Sequence, residues 1–333
     1  MHKLPTKIMN NVYPIHVKRS VDSGFKSVEW KLGNTCNFNC SFCGIDNKSG
    51  SEYWLDLDNY ISVCKKLMDT TSEKIFFQFT GGEPSLYPKL IDLLTFIKKQ
   101  GHHTSMFSNG SRTLRWWSEL AELNLLDILN LTIHVEQGID VDHIINIIKL
   151  FEQKPVFVFG QSTAPVSHFD QAYSAHKKIL EHTCVVANLK PITTGYRHDL
   201  YIDKYSPEQL EILKNNIIVK SVNYDKVKPT GVKHFASIML LTYDNGVIKK
   251  YPSYKLIAEG LNSFTGWNCS IGMNSLNIVY DKIYRGICRQ GGVLKHITES
   301  DISFATDEII CKLERCSCAS DLEEKKVKFY TKD

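Results

Sequence analysis

Long hydrophobic segments are absent from this chain of 333 residues. No apolar run approaches the ~18 residues of a membrane-spanning helix, and the N-terminal segment has no apolar core of a signal peptide. A dominant charge is lacking as well, because 40 Lys and Arg residues are interspersed with 36 Asp and Glu residues. Charged runs such as Glu323-Glu324-Lys325-Lys326 are expected to be solvated helix faces. The sequence therefore indicates neither a membrane protein nor a nucleic-acid-binding protein.

The motifs of several common enzyme classes are also missing. The chain has no ordered Ser, His and Asp set, no glycine-rich loop that would cradle phosphates and no HExxH helix. The adjacent pair His102-His103 lacks the helical spacing of zinc ligands and is expected at a strand edge. Trp116-Trp117 lies in a predicted helix, where packing is the expected role.

Cysteine, by contrast, is plentiful, with 10 residues in the chain. Without an export signal, this number indicates a reducing, cytoplasmic location and metal binding rather than disulfides. Eight of the ten cysteines fall in two groups, at 36–43 and 269–318. Cys64 lies in a predicted amphipathic helix and Cys184 begins a predicted apolar strand, so both are expected to be core residues.

The first cysteine group has a distinctive spacing. Cys36, Cys40 and Cys43 are four and three residues apart, in a loop that follows a predicted strand. Three thiolates on so short a segment can converge on one soft metal centre, and no fourth cysteine lies nearby. A structural zinc ion closes its shell with four ligands, whereas an iron–sulfur cluster can leave one iron open to a substrate or cofactor. Zinc, or three unrelated core cysteines, is the alternative.

From this point the sequence alternates short apolar runs with amphipathic patterns. Six strand–helix units predict right-handed crossovers and a parallel sheet. The predicted strands are 27–32, 74–79, 103–107, 128–133, 155–159 and 184–189. The predicted helices are 57–68, 88–100, 114–123, 143–151, 169–181 and 207–215.

Polar motifs follow several of these predicted strands. Parallel sheets and barrels place their chemistry at the carboxyl ends of the strands, so these motifs are candidate site residues. Paired glycines let the main chain approach a ligand closely, and a glutamate there could accept hydrogen bonds from an ammonium group. The candidates are Gly81, Gly82, Glu83, Pro84, Ser108, Asn109, His134, Glu136 and the run Tyr196-Arg197-His198-Asp199.

The motif CxxxCxxC, with Phe42 just before its last cysteine, resembles the signature of the radical S-adenosylmethionine (SAM) enzymes. In that family the open iron of a 4Fe–4S cluster binds the amino and carboxylate groups of SAM. One electron then cleaves SAM to methionine and a 5′-deoxyadenosyl radical, which abstracts hydrogen from the substrate. The run Gly81-Gly82-Glu83-Pro84 resembles the GGEP element that holds the methionine end of SAM in the same family.

The resemblance implies roles for these residues and a fold. It places the cluster on the three cysteines, Phe42 near the adenine, and Ser108 and Asn109 at polar groups of SAM. The implied fold class is α/β, with a partial (β/α)6 TIM-like barrel and a smaller C-terminal domain of β-hairpins and helices. We expect an arm at 1–25, the radical SAM core at 26–230, the second domain at 235–322 and a tail at 323–333.

After about residue 230 the pattern changes to short strands. One hairpin is predicted at 238–243 and 247–250, around the turn Asp244-Asn245-Gly246, and a second at 275–280 and 283–286. Five cysteines accompany these hairpins, namely Cys269, Cys288, Cys311, Cys316 and Cys318.

The order Cys269, hairpin, Cys288 resembles the start of the auxiliary-cluster domain of radical SAM enzymes, called SPASM in its full form and twitch in its shortened form. The full form needs more than five cysteines, so one auxiliary 4Fe–4S cluster is expected. Its ligands would be Cys269, Cys288 and two of the last three. A four-cysteine zinc site is the alternative. Arg285 and Arg289 could offset cluster charge or contact an anionic substrate, or be ordinary surface residues.

The resemblance implies an enzyme that cleaves SAM reductively and abstracts hydrogen from its substrate. Only about 25 residues precede the first predicted strand, whereas many peptide-modifying relatives carry an N-terminal leader-binding domain. A small polar substrate, sugar- or nucleotide-like and oxidised with help from the auxiliary cluster, is therefore expected. A peptide- or protein-modifying maturase is the alternative, and a non-catalytic zinc or iron–sulfur protein is the third hypothesis. Flavodoxin or ferredoxin would be the electron donor.

Overall fold

The computed structural model describes residues 13–20, 24–51, 54–193, 204–216 and 238–328. The strands are β1 (Pro14–Arg19), β2 (Phe25–Lys31), β3 (Lys74–Thr80), β4 (His103–Ser108), β5 (Ile128–Ile133), β6 (Phe157–Ala164), β7 (Val186–Pro191), β8 (Ile238–Tyr243), β9 (Ile248–Pro252), β10 (Asn268–Cys269), β11 (Ser275–Val279), β12 (Lys282–Tyr284), β13 (Val293–His296), β14 (Ile309–Ile310) and β15 (Lys326–Val327). The helices are α1 (Leu57–Asp69), α2 (Leu90–Lys99), α3 (Leu114–Glu122), α4 (Val141–Glu152), α5 (Phe169–His182), α6 (Pro207–Asn216), α7 (Ser253–Ala258) and α8 (Ala319–Leu322). Short 3₁₀ turns cover Ile45–Asn47, Pro84–Leu86, Val135–Gln137 and Val166–His168.

The larger sheet has nine strands in the order β13-β12-β11-β2-β3-β4-β5-β6-β7. Strands β2 to β7 are parallel neighbours in chain order. One of the helices α1 to α6 follows each of them. The parallel sheet predicted from the alternation of apolar runs and amphipathic patterns is therefore confirmed.

The helices cover one face of this sheet. Trp30 of β2 and Leu131 of β5 belong to the same buried core as Tyr60 of α1, Leu93 of α2 and Ile148 of α4. A sheet that carries all its crossover helices on one side has the layering of a curled barrel rather than of a doubly wound sheet.

The opposite, inner face has a small apolar cluster near the amino ends of the strands. Its buried members are Phe25, Phe76, Ile128 and Phe157, which come from β2, β3, β5 and β6. The cluster bridges β4, which lies between β3 and β5, and curvature of the sheet brings such side chains closer together. This cluster closes the floor of the curved sheet, and the functional residues described below lie toward the carboxyl ends.

The second predicted hairpin is confirmed as β11 and β12, and it also extends the main sheet. Strand β11 runs parallel to β2, with Ser275 opposite Ser27 and Val279 opposite Lys31. This pairing covers the edge of β2, which would otherwise expose unpaired backbone groups. The C-terminal segment is thus hydrogen-bonded directly to the first strand of the barrel.

A second sheet has the order β14-β10-β15-β1-β8-β9. The predicted hairpin of β8 and β9 is confirmed. The segment predicted to be a polar arm contains β1, which pairs antiparallel with β8 and β15. Sequence analysis missed this strand because Val17 is its only fully buried residue. The strand is stabilised by partners that are distant in the sequence.

The prediction of a solvated charge run near the C-terminus was wrong. Glu323, Glu324 and Lys326 are 7%, 2% and 1% exposed. The ammonium of Lys326 donates hydrogen bonds to the backbone oxygens of Asp321 at 2.6 Å, Leu322 at 3.1 Å and Glu324 at 2.9 Å. Strand β15 carries this lysine into the interior, where carbonyl oxygens replace its hydration.

Three smaller predictions were also tested. Cys64 is fully buried in α1 and Trp117 is fully buried in α3, as expected. Cys184 is exposed, which corrects its placement in the core. Its strand begins two residues later, at Val186, so the cysteine lies in the preceding loop. Within the described segments, no helix has the length and apolarity needed to cross a membrane.

Candidate active site

The loop that carries the first three cysteines is folded onto itself. The side-chain amide of Asn34 donates to the hydroxyl oxygens of Ser49 at 2.9 Å and Ser51 at 3.1 Å. The ammonium of Lys48 donates to the backbone oxygen of Cys40 at 2.7 Å. These hydrogen bonds hold the two ends of the loop together, so the cysteines sit on a defined backbone.

Residues that follow β5 anchor the same loop from the other side of the barrel mouth. The carboxylate of Glu136 accepts hydrogen bonds from the backbone nitrogen of Ser41 at 2.6 Å and from its hydroxyl at 2.8 Å. The side-chain oxygen of Gln137 accepts from the backbone nitrogen of Asn39 at 2.9 Å. Glu136, considered above as a candidate ligand contact, therefore positions the loop, and Gln137 is a residue that sequence analysis missed.

The paired glycines after β3 approach the cysteine loop rather than an open space. The backbone nitrogen of Gly82 donates to the oxygen of Gly33 at 2.9 Å, and that of Glu83 donates to the oxygen of Thr35 at 2.8 Å. A Cβ atom on Gly81 would lie 2.4 Å from the oxygen of Gly33, and one on Gly82 would lie 2.2 Å from the oxygen of Thr35. Only glycine permits this contact between two backbones.

The carboxylate of Glu83 joins the ends of β3 and β4. One oxygen accepts from the backbone nitrogen of Ser85 at 3.0 Å and the hydroxyl of Ser108 at 2.8 Å, and the other accepts from the backbone nitrogen of Asn109 at 2.6 Å. Glu83 is 2% exposed, and this burial raises its pKa while the three donors oppose the rise. Because a carboxylate has about four acceptor positions, one remains for a further donor.

Hydrogen-bond donors also point at the first cysteine. The backbone nitrogen of Phe38 lies 3.4 Å from the sulfur of Cys36, and the side-chain nitrogen of Asn109 lies 4.0 Å from it. Asn109 donates in addition to the side-chain oxygen of Asn37 at 3.0 Å. Donors in these positions stabilise a thiolate, so Asn109 links the end of β4 to the cysteine loop.

These elements enclose one cavity of about 210 Å³. It brings the first cysteine triad together with the residues that follow β3, β4 and β5. Its lining includes Cys36, Phe38, Cys40, Phe42, Cys43, Gly81, Gly82, Glu83, Ser108, Asn109, Thr132 and His134. Pro84 is buried beside this cavity, in the turn that Glu83 caps.

His134 forms part of the cavity wall with two aromatic rings. The ring of Phe42 lies 5.6 Å from the imidazole and that of Phe38 lies 6.2 Å from it. Burial lowers the pKa of His134 to about 4, so the imidazole is neutral near pH 7. Its Nε2 is 3.0 Å from the hydroxyl of Thr132, while Nδ1 is buried and has no partner among the described residues.

The donor set of the triad fits a soft metal centre. All three cysteines line the cavity, and burial raises the pKa of Cys36 and raises that of Cys40 to about 12. The thiols of Cys36 and Cys40 are therefore protonated until a metal displaces their protons. Soft thiolate ligands of this kind select zinc, Cu(I) or iron–sulfur clusters.

The C-terminal cysteines also come together. Cys269, Cys311 and Cys316 belong to one buried cluster, against which Cys288 packs. Cys318 is buried and interacts electrostatically with Cys316 and Cys288. All five predicted cysteines are thus neighbours, although they come from different strands and loops.

Three residues that sequence analysis missed support this group. The side-chain nitrogen of Gln290 lies 3.9 Å from the sulfur of Cys288 and 3.4 Å from that of Cys311. Asp321 accepts from the backbone nitrogen of Cys288 at 2.6 Å. Burial lowers the pKa of the Lys326 ammonium, but negative charge at Cys316, Cys269, Glu324 and Asp321 outweighs burial and raises it. None of the three has a sequence signal, because each is defined by a distant partner.

The two arginines beside Cys288 have partners of their own. Arg285 makes a bidentate ion pair with the carboxylate of Asp307, at 2.8 and 3.0 Å. Arg289 lies over the ring of Tyr284, 5.1 Å from its centre.

The weaker candidates Tyr196-Arg197-His198-Asp199 lie outside the described residues. In the described part of the chain, no three His, Cys, Asp or Glu side chains are close enough to hold a single metal ion.

Residues 30–135 match the family model of the Radical SAM superfamily. The matched segment begins in β2 and ends just after β5, so it contains the first three cysteines, the run 81–84 and His134. The segment covers less than half of the chain, and the C-terminal cysteines lie outside it.

Among curated proteins, the chain is similar to a probable GTP 3′,8-cyclase of Saccharolobus islandicus, with 33% identity over 106 residues. The similarity spans 31% of the chain and 33% of the cyclase, which is about a third of either protein. An uncharacterized protein of Methanocaldococcus jannaschii, MJ0103, is 38% identical over 87 residues, which are 23% of the chain and 20% of that protein.

Solved structures share the fold over most of the chain. SuiB of Streptococcus suis, bound to the precursor peptide SuiA, superposes with a TM-score of 0.53 and 12% identity, over 84% of the chain and 64% of SuiB. The structure of anSMEcpe with bound AdoMet has a TM-score of 0.50 and 16% identity, over 82% of the chain and 78% of anSMEcpe. Residues 30–135 are thus similar to the Radical SAM superfamily, and the rest of the comparison shows that the chain shares its fold with SuiB and anSMEcpe.

Proposed function

We propose that this protein is a radical SAM enzyme. Cys36, Cys40 and Cys43 would hold a 4Fe–4S cluster whose open iron binds SAM, with flavodoxin or ferredoxin as the electron donor. When bound, the cluster and SAM supply a 5′-deoxyadenosyl radical that abstracts hydrogen from the substrate. The single observation that carries this proposal is the cavity shared by the cysteine triad and the residues that follow β3 and β4.

The arrangement of the triad favours a cluster over a single zinc ion. In a cluster each thiolate binds a different iron, so the sulfurs need not converge on one point. The donors from Phe38 and Asn109 to Cys36 suit a sulfur that carries negative charge. A triad without a fourth nearby cysteine also leaves one position for SAM, which a structural zinc site does not.

The residues after β3 and β4 would hold the methionine end of SAM. The remaining acceptor position on Glu83 is suited to an ammonium group, because a buried carboxylate gains most from a charged donor. Ser108 and Asn109 keep that carboxylate in place. Phe42 lines the cavity and would lie near the adenine.

The five C-terminal cysteines would hold one auxiliary 4Fe–4S cluster in a twitch-like domain. Cys269 and Cys288 are the first two proposed ligands, with two of Cys311, Cys316 and Cys318. The contact of Gln290 with both Cys288 and Cys311 favours Cys311 as one of these two. Because β11 pairs with β2, the auxiliary site is attached to the first barrel strand, which also leads into the cysteine triad. We retain the core at 26–230 and the second domain at 235–322 as proposed boundaries.

A small polar substrate, sugar- or nucleotide-like, is the first candidate. The relative from Saccharolobus islandicus is named for an activity on GTP, a nucleotide. A peptide substrate is the second candidate, since the related fold of SuiB was solved with its precursor peptide. Nucleotides and sugars that stimulate SAM cleavage would support the first candidate, and a synthetic leader peptide that binds tightly would support the second.

The test is the metal content of the anaerobically reconstituted protein, measured as iron, sulfide and zinc per chain. We expect about eight irons in the parent and about four after Cys36, Cys40 and Cys43 are all changed to alanine. The parent should form 5′-deoxyadenosine from SAM under dithionite, and the triple variant should not. Cys184→Ala removes an exposed cysteine and is the matched control. Zinc in the first site, or no cleavage of SAM by the iron-loaded parent, would show that the proposal is wrong.

A further inference from the structure

The inner face of the barrel becomes polar above its apolar floor. Thr132 of β5, Gln161 of β6 and Asn188 of β7 are opposite one another in the strand register. Thr132 lines the cavity of the cysteine triad. Side chains opposite one another on parallel strands point to the same face, so the polar row continues from the cavity across to β7.

Lys190 lies one row further toward the carboxyl ends. In register, Ile133 of β5, Ser162 of β6 and Leu189 of β7 are opposite one another. Ile133 and Leu189 pack in the cores on the helix side. The next residues, His134 and Lys190, therefore face inward, and roughly 10 Å separates their two strands. The positive charge of Lys190 contributes to the lowered pKa of His134, which places the ammonium near the cavity wall.

No carboxylate in the described part of the chain balances this lysine. Burial alone lowers the pKa of Lys190, and no charged group is among the causes. Other inward-facing or buried lysines have partners: Lys31 bonds to Asn47, and Lys326 bonds to backbone oxygens. Lys190 is half-buried, and an ammonium that has lost part of its hydration without gaining a counter-charge is stabilised by a ligand that supplies one.

Two further polar atoms near Lys190 are without partners among the described residues. The side-chain oxygen of Asn188, two residues earlier on the same face, is buried and accepts no hydrogen bond. The Nδ1 atom of His134 is likewise buried and has no hydrogen-bond partner among the described residues. Buried polar atoms are normally satisfied, so the three residues together describe an incomplete polar site.

We propose that Lys190 binds an anionic group of the substrate, a phosphate or a carboxylate, in a site where Asn188 Oδ1 and His134 Nδ1 are hydrogen-bond acceptors. Lys190 neutralises the anion, and Asn188 accepts a hydrogen bond from a neighbouring hydroxyl or amino group. Of these three residues His134 lines the same cavity as Glu83, which is the proposed partner of the SAM ammonium. This inference takes its substrate from the proposed function, but it is tested by binding alone, without SAM cleavage.

Three compounds with similar polyol skeletons test the site: ribose 5-phosphate, gluconate and neutral ribose. Their binding to the reconstituted, SAM-loaded protein is measured by calorimetry without dithionite. We expect ribose 5-phosphate or gluconate to bind at least about tenfold more tightly than ribose, since a hydrogen bond to a charged group contributes about that much. The anion that binds more tightly shows whether the site takes a phosphate or a carboxylate.

Variants then assign the preference to Lys190. Lys190→Met keeps the aliphatic stem and should abolish the preference for the anion, whereas Lys149→Met, which removes an exposed lysine of α4, should retain it. Equal binding of the three compounds to the parent, or an unchanged preference in Lys190→Met, would overturn the proposal. Weaker SAM binding by Lys190→Met would also overturn it, because Lys190 would then serve the SAM carboxylate. If SAM is not cleaved but the anion preference depends on Lys190, the proposed reaction fails and the anion site remains.

Discussion

Glu136 reaches from the end of β5 to the cysteine loop, where its two carboxylate oxygens accept hydrogen bonds from Ser41. Both bonds involve a charged acceptor, which makes them stronger than neutral ones. The contact joins residues 95 positions apart in the chain. A carboxylate in this position fixes the loop without touching a ligand, so its effect should appear in retention of the metal.

Changing Glu136 to alanine should loosen the loop between Cys40 and Cys43. We expect a loss of about 1 kcal/mol in the free energy of unfolding, since the contact is partly exposed, and faster loss of iron from the reconstituted protein to a chelator. Glu119→Ala, which removes an exposed glutamate of α3, is the matched control. Iron loss at the same rate in both variants would contradict the anchoring role.

His134 makes the stability of the protein depend on pH. Burial lowers its pKa from 6.5 to about 4, so between these values the unfolded chain binds a proton that the folded chain does not. The free energy of unfolding therefore falls as the pH drops from 6.5 to 4, by at most about 3 kcal/mol from this residue.

The variant His134→Gln should lack this part of the pH dependence. Denaturant unfolding of the metal-free protein at a series of pH values would measure it, because the parent should lose more stability than the variant between pH 6.5 and 4. Parallel curves for the two proteins would mean that the imidazole is not held neutral by burial.

At the scale of elements, the end of β3 and the cysteine loop form one unit. Two backbone hydrogen bonds join them, from Gly82 to Gly33 and from Glu83 to Thr35. The Gly-Gly pair was predicted to approach a ligand, yet its closest neighbours are backbone atoms of the loop. The glycines are therefore needed before any ligand binds, because a larger residue would separate the loop from the strand.

Gly82→Ala should be strongly destabilising. Its Cβ would lie 2.2 Å from a backbone oxygen, and we expect a loss of about 3 kcal/mol or more in the free energy of unfolding. Gly44→Ala is the control, because its Cβ would meet its nearest neighbour at 3.8 Å and its φ is −59°. Urea unfolding of the two variants should therefore separate clearly. Similar midpoints would show that the loop can shift away from β3 at little cost.

At the scale of the whole molecule, the first strand is paired with C-terminal strands. Strand β1 lies between β15 and β8, and Val17 is fully buried in the same core as Cys269, Cys311 and Cys316. The segment that begins the described chain therefore helps to build the C-terminal cysteine group. Its loss should affect that group before it affects the triad in the barrel.

Val17→Ala should leave a cavity beside the C-terminal cysteines and cost roughly 2 kcal/mol. We expect the reconstituted variant to lose iron from this group while the iron of the first triad is kept. Iron is measured in Val17→Ala alone and in combination with the triple change of Cys36, Cys40 and Cys43. The difference separates the iron of the first triad from that of the C-terminal group. Lys18→Ala, at the exposed neighbour, is the control. Equal loss of iron from both sites would show that β1 stabilises the whole protein and not the C-terminal cysteine group in particular.

Much of the barrel could be predicted from the sequence. The helix at 57–68 and the strand at 128–133 were predicted within one residue of α1 and β5, because amphipathic and apolar periodicity is a local property of the chain. The cysteine spacing and the run 81–84 indicated the site for the same reason. Strand β1 and the burial of Lys326 could not be predicted, since both depend on partners far away in the sequence.

The sequence by itself determined the six strand–helix units, the position of the cysteine triad between the strand and the helix of the first unit, and the residues at the strand ends. These follow from hydrophobic periodicity and from the fact that neighbouring residues in the chain stay neighbours in space. Only the tertiary structure decided that Glu136 anchors the loop, that the glycines contact its backbone, and that Lys190 lies on the inner face of β7 without a counter-charge in the described residues. Each of these depends on the curvature of the sheet and on the order of its strands, which bring together side chains that no local pattern connects.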